Sequence, residues 1–130
     1  MERPEVGDED FLDIAKDPAR ARALRKSMRR LAESGDETLR EMAREVLAGR
    51  IGLRQAAQNG AYREALSEAA RVGMRGYEQM SAAERRAAEA EGQRQLDECQ
   101  GEIDREWAER QGERAMGHKP RTAADRSRGW

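Results

Sequence analysis

No proline interrupts this chain between Pro18 and Pro120. A helix interior cannot hold proline, which lacks the amide donor and clashes with the preceding turn. About a hundred residues therefore run free of an obligatory breaker. The same span is rich in alanine, arginine and glutamate and poor in β-branched and aromatic residues. The abundant types lose little side-chain freedom in a helix, and the scarce ones are those that strands are built from. The expected fold is all-α: a small bundle of three to four helices, then a long C-terminal helix and a basic tail. The expected segments are an acidic arm over 1–17, a helical body over 18–80, a long amphipathic helix over 81–116 and the flexible tail over 117–130.

The core of such a bundle must be thin. Apolar residues make up 37 % of the 130-residue chain, against a usual ~45–50 %, and charged residues 39 %, against ~25 %. Much of the apolar share is alanine, which buries little area. A compact monomer of this size and composition is marginal. A protein partner or a second copy of the chain is expected to supply further buried surface.

Charge falls in blocks. Residues 1–17 hold seven acids and two bases, residues 18–54 ten bases and five acids, and residues 81–113 ten acids and five bases. Residues 114–130 return to five bases and one acid. Blocks of opposite sign favour pairing, with an acidic arm facing the basic first helix. The plainer expectation is a set of solvated helix faces, since exposed ion pairs are individually weak.

Local signals place the helices. Asp17-Pro18 is a helix start: the aspartate accepts from free amides, and proline occupies a first helical position that needs no donor. Leu24, Met28 and Leu31 then share a face to about Glu33, and Ser34-Gly35 ends the helix. Asp36 caps a second helix with Leu39, Met42, Ala43, Val46 and Leu47 on one side. A weaker helix covers Ile51 to Gln58, and Asn59-Gly60 marks a turn or a C-cap. Helix resumes at Ala61, with Tyr62, Leu66, Ala69, Ala70 and Gly73 on one face. Ser81 and Glu84 form a capping box for the long helix. Ala88, Gly92, Leu96, Cys99, Ile103 and Trp107 trace a seam along it, near the coiled-coil spacing. The best core residues are Leu24, Met28, Leu31, Leu39, Met42, Val46, Leu47, Leu53, Tyr62 and Leu66. Residues 1–10 are expected to be mobile, and Phe11, Leu12 and Ile14 to form one apolar helical turn docked on the body.

Composition narrows the chemistry. The one cysteine, Cys99, permits no internal disulfide and fits a reducing, cytoplasmic setting. The first residues, Met1 to Asp8, lack the basic start and apolar run of a secretory signal. No stretch approaches the ~20 apolar residues of a membrane span. Arginine far outnumbers the three lysines, Lys16, Lys26 and Lys119, a bias expected of a GC-rich bacterial genome.

His118 is the single histidine, so the histidine pairs of zinc and di-iron sites are missing. Cys99 sits on an apolar seam without a neighbouring base and reads as a small hydrophobe. Gly49-x-x-Gly52 and Gly73-x-x-Gly76 lack the lysine and hydroxyl of a phosphate loop. The acidic start lacks the glycine and terminal glutamate of a calcium loop. No catalytic, cofactor-binding or metal-binding residues are expected, and no small-molecule ligand.

Two functions fit these bounds. The first is a non-enzymatic protein–protein interaction module, an adaptor or assembly subunit, whose partner-binding residues are Leu96, Cys99, Ile103 and Trp107. The second is DNA binding through the basic first helix and a helix-turn-helix-like segment over 53–66. Its contacts are Arg25, Arg29, Arg54 and Arg63.

Overall fold

The computed structural model describes residues 5–117. The tail, with His118, lies outside the described residues from position 118 onward. A 3-10 turn, Asp8–Phe11, leads into α1 (Leu12–Ala15), α2 (Pro18–Leu31), α3 (Glu37–Leu47), α4 (Leu53–Gln58), α5 (Gly60–Gln79) and α6 (Ala82–Gly117). Among the described residues there is no strand. The chain is a small helical bundle that ends in one long helix.

The helix boundaries follow side-chain chemistry. The Arg20 amide donates to Asp17 Oδ1 at 2.9 Å, with Pro18 at the first helical position. The Leu39 amide donates to Asp36 Oδ1 at 2.9 Å. Both aspartates satisfy an amide that the first turn leaves free. Ser81 and Glu84 close a reciprocal box: the Ser81 amide donates to Glu84 Oε1 at 2.8 Å, and the Glu84 amide donates to Ser81 Oγ at 3.0 Å. Asn59 acts at the start of α5, where its Oδ1 accepts from the Tyr62 amide at 3.3 Å. Helix α5 continues through Gly73 and Gly76 to Gln79.

The core is built by the first half of the chain. Phe11, Ala21, Met28, Leu39, Met42, Ala43, Val46, Leu47 and Ala56 form one buried cluster. Leu24, Leu31, Leu53, Tyr62 and Leu66 pack around it half-buried. Helix α3 supplies five of the nine buried members because its apolar residues form an unbroken face. Helix α6 supplies none.

Residues expected to be mobile, from Glu5 to Asp10, fold over this body. The Val6 amide donates to the Leu47 carbonyl at 2.9 Å. Gly49, with φ +77°, turns the chain there, and a Cβ on it would sit 3.2 Å from Val6 Cγ1. Phe11 is buried as expected, but Leu12 and Ile14 stay exposed at 38 % and 36 %. A single turn of helix can present only one of its sides, and Phe11 takes it.

The long helix is not amphipathic along its length, contrary to expectation. Its buried residue is Cys99, flanked by half-buried Leu96 and Ile103, while Ala88 and Gly92 are exposed. The seam is used over about two turns only, where α6 lies against α2. Between them, α5 leaves the body at α3 and α6 returns to it at α2.

Met42 is fully buried at the centre of the cluster. Met42→Ala is expected to lower unfolding free energy by about 2–5 kcal/mol, the cost of a vacated core site. Urea denaturation followed by circular dichroism checks this. A loss below about 1 kcal/mol would contradict the placement of the core.

Candidate functional site

Two features outside the core set what this surface can do. The first is a charged cluster that joins three segments. Arg22 is buried for a charged residue, with 9 % of its surface exposed. Its Nη1 and Nη2 each donate to Glu106 at 2.7 Å, a two-pronged pair. Its Nε donates to Asp8 Oδ2 at 2.8 Å, and Nη1 also reaches Glu102 Oε1 at 3.3 Å. Arg25 Nε donates to the other oxygen of Asp8 at 2.6 Å, and Lys26 Nζ donates to Glu102 Oε2 at 2.8 Å. Three bases of α2 thus meet one acid of the N-terminal arm and two of α6.

The spacing accounts for the fit. Arg22 and Lys26 lie four apart on α2, and Glu102 and Glu106 lie four apart on α6, so each pair shares a helix face. Lys26 meets Glu102 and Arg22 meets Glu106, so the two helices run antiparallel here. A bidentate arginine–carboxylate pair fixes this register better than a lysine point charge does.

The titration behaviour follows. Burial pushes the Asp8 carboxyl up, but hydrogen bonds from Arg25 and Arg22 outweigh it and hold the group below its ordinary 3.8. Hydrogen bonds from Lys26, then Arg22, hold Glu102 below its ordinary 4.5. The Arg22 fork does the same for Glu106. The hydrogen bonds to Glu106 raise the Arg22 guanidinium above its already high ordinary value. Burial raises the Cys99 thiol, which lowers its thiolate fraction and suits packing rather than attack.

The second feature is apolar. Tyr62, Leu66, Ala70, Gly73 and Tyr77 fall at i, i+4, i+8, i+11 and i+15, one face of α5. The stripe begins half-buried against the core at Tyr62 and Leu66. From Ala69 to Gln79 every residue is exposed. Met74 and Val72 border this bare stretch at 60 % and 56 % exposure. Tyr77 is tied to α6: its hydroxyl donates to Glu89 Oε1 at 2.9 Å, and the Arg85 guanidinium lies 5.1 Å from its ring centre.

The residues picked out from sequence are dispersed. Of the partner-binding set, Cys99 is buried at the α2–α6 contact, Leu96 and Ile103 are half-buried, and Trp107 is 52 % exposed. Of the DNA-binding set, Arg25 is engaged by Asp8 and Arg29 Nε donates to Glu5 Oε1 at 3.0 Å. Arg54 lies 3.5 Å from Asp13 Oδ2, and Arg63 is exposed on α5. A single residue, Asn59, separates α4 from α5, where a helix-turn-helix uses a turn of three to four.

In sequence Arg22 is one of six bases of α2, with nothing local to set it apart. The signal for its role was the matching four-residue spacing of bases and acids in two distant blocks. The α5 stripe expected to end at Gly73 continues with the same period to Tyr77.

Among the described residues no group of His, Cys, Asp or Glu offers a metal-ligand set, and no helix is long and apolar enough to cross a membrane. No family model matches the chain, and no curated protein or solved structure matches it either.

The lowered values of Asp8, Glu102 and Glu106 carry a definite sign. A carboxylate depressed in the folded state stabilises above its unfolded pKa, and that stability is lost as pH falls through the folded value. The thermal midpoint is therefore expected to drop once pH falls below the ordinary carboxylate values of 3.8 and 4.5. Arg22→Ala should flatten that acid limb. Equal acid limbs in the two proteins would remove the cluster as its source.

Proposed function

We propose that this protein is a non-enzymatic helical interaction module, an adaptor or assembly subunit, which docks a protein partner along the outer half of α5. The observation that carries the reading is the α5 stripe, which packs on the core at Tyr62 and Leu66 and continues exposed past Ala69 as far as Tyr77, which Glu89 and Arg85 of α6 engage. Fully burying a valine or methionine side chain gains roughly 1.5–3 kcal/mol, well above the ~0–1 kcal/mol of an exposed ion pair. Val72 and Met74 lie about 160° apart on the helix, at opposite edges of the stripe, so a partner that covers the stripe gains from part of each. An amphipathic partner helix is the occupant whose anchors repeat with the same period. Gly73 and Gly76, with nothing within 4 Å of where a Cβ would stand, allow its backbone to approach closely. Trp107, one of the partner-binding residues expected from sequence, is half exposed on α6 and offers an aromatic anchor.

The basic surface of α2 favours this reading over DNA. Its Arg22, Arg25 and Lys26 are already neutralised by carboxylates of the same chain. Phosphate binding draws its affinity from cations free to release counterions.

Val72→Glu combined with Met74→Glu should abolish retention of a stoichiometric protein partner in affinity capture and leave helicity unchanged. Trp107→Ala should weaken retention without abolishing it. Full retention by the folded double variant would remove α5 as the docking face.

A further inference from the structure

The N-terminal arm leaves a cleft where it crosses the body. Val6, Phe11, Val46, Ile51 and Leu53 line a space of about 220 Å³ between the arm, α3 and the start of α4, with Asp10 beside them. Phe11 and Val46 are buried in it, while Val6, Ile51 and Leu53 are half-buried and keep apolar edges in water. Gly52 also lines the cleft, and a Cβ there would meet nothing within 4 Å. An apolar group that entered would exchange water for several apolar neighbours at once.

Charge identifies the occupant. The basic neighbours of the cleft are already engaged: Arg50 Nη2 lies 2.6 Å from Glu45 Oε2, and Arg54 Nε lies 3.5 Å from Asp13 Oδ2. On the arm, Asp8 is held by Arg22 and Arg25, whereas exposed Glu9 and Asp10 make no ion pair among the described residues. The cleft is thus an apolar site with two unpaired carboxylates next to it. Residues 118–130 carry the complement: Lys119, Arg121, Arg126 and Arg128 against one acid, Asp125, with Trp130 as an aromatic anchor.

Reach permits the match. Helix α6 passes beside the arm at Glu106, which shares Arg22 with Asp8, a near neighbour of Asp10. From Glu106 to Gly117 the helix covers about 16 Å at 1.5 Å per residue. The thirteen residues that follow span up to about 43 Å when extended, enough to retrace that length and meet the cleft.

We propose that residues 118–130 of the same chain dock on this cleft, their bases facing Glu9 and Asp10 and Trp130 covering Val6, Ile51 and Leu53. A tethered segment holds its site at high effective concentration, so weak exposed ion pairs and one aromatic ring suffice. The site is separate from the α5 stripe, and its test does not depend on what docks there.

The 130-residue chain carrying Trp107→Phe keeps Trp130 as its one tryptophan. Acrylamide is expected to quench its fluorescence at least about twofold less than that of a synthetic peptide of residues 118–130. Dilution by about a hundredfold should leave this protection unchanged, as it must for a site filled within one chain. Adding Glu9→Lys and Asp10→Lys should return quenching to the level of the peptide. Should that variant lose helicity, Arg126→Glu with Arg128→Glu removes the same attraction from the other side and leaves the body untouched. Quenching equal to that of the peptide in the parent chain would overturn the proposal. So would protection that survives charge reversal, or protection that disappears on dilution.

Discussion

Arg22 is the point on which the three parts of this molecule meet. It lies on α2, receives the N-terminal arm through Asp8 and receives α6 through Glu102 and Glu106. A guanidinium has five donors in a rigid plane, so one side chain can bind several carboxylates at once. Burying it without them would leave an uncompensated charge, at a cost of several kcal/mol. The arm and the long helix are thus drawn to the same spot by the same requirement. No buried side-chain polar atom among the described residues lacks a partner.

This arrangement divides the chain into a part held by oil and a part held by charge. The arm, α2, α3 and α4 close a small core around Met42 and Phe11. Helix α6 returns from a distance and lies on α2 through Cys99, half-buried Leu96 and Ile103, and the charge pairs around them. Its roughly 54 Å length gives much surface for few buried contacts. The outer half of α5 is the strut between these parts, and its apolar side is exposed, with Tyr77 held by Glu89 and Arg85 of α6. The exposed α5 stripe arises because the apolar residues are too few to cover the whole helical length.

Much of the fold was legible because its signals are local. Asp17-Pro18, Asp36 and the Ser81–Glu84 box are each complete within four residues, and each marks a real helix start. The face of α3 was legible because one period runs through it without a polar break. The docking of the arm was harder, since Val6 and Asp8 bond to residues far along the chain and only their charge and size are visible beforehand. Leu12 and Ile14 misled because apolar composition does not say which side of a single turn meets the core. The seam on α6 misled for a related reason. Spacing locates a stripe, while burial depends on how much of the helix has a surface beneath it, here only the turns around Cys99. Arg22 shows the opposite failure: an arginine among five other bases of α2 gives no local sign of becoming the buried one.

Native-state hydrogen exchange on the full chain, at low and high salt, tests the central claim most directly. If charge holds α6 and apolar packing holds the body, amides of α6 near Cys99 will exchange through an opening of lower free energy than those of α3 around Met42. Salt will widen the gap by weakening the α6 contact while leaving the core. Amides of α6 and α3 that exchange through one common opening, with no response to salt, would contradict the account.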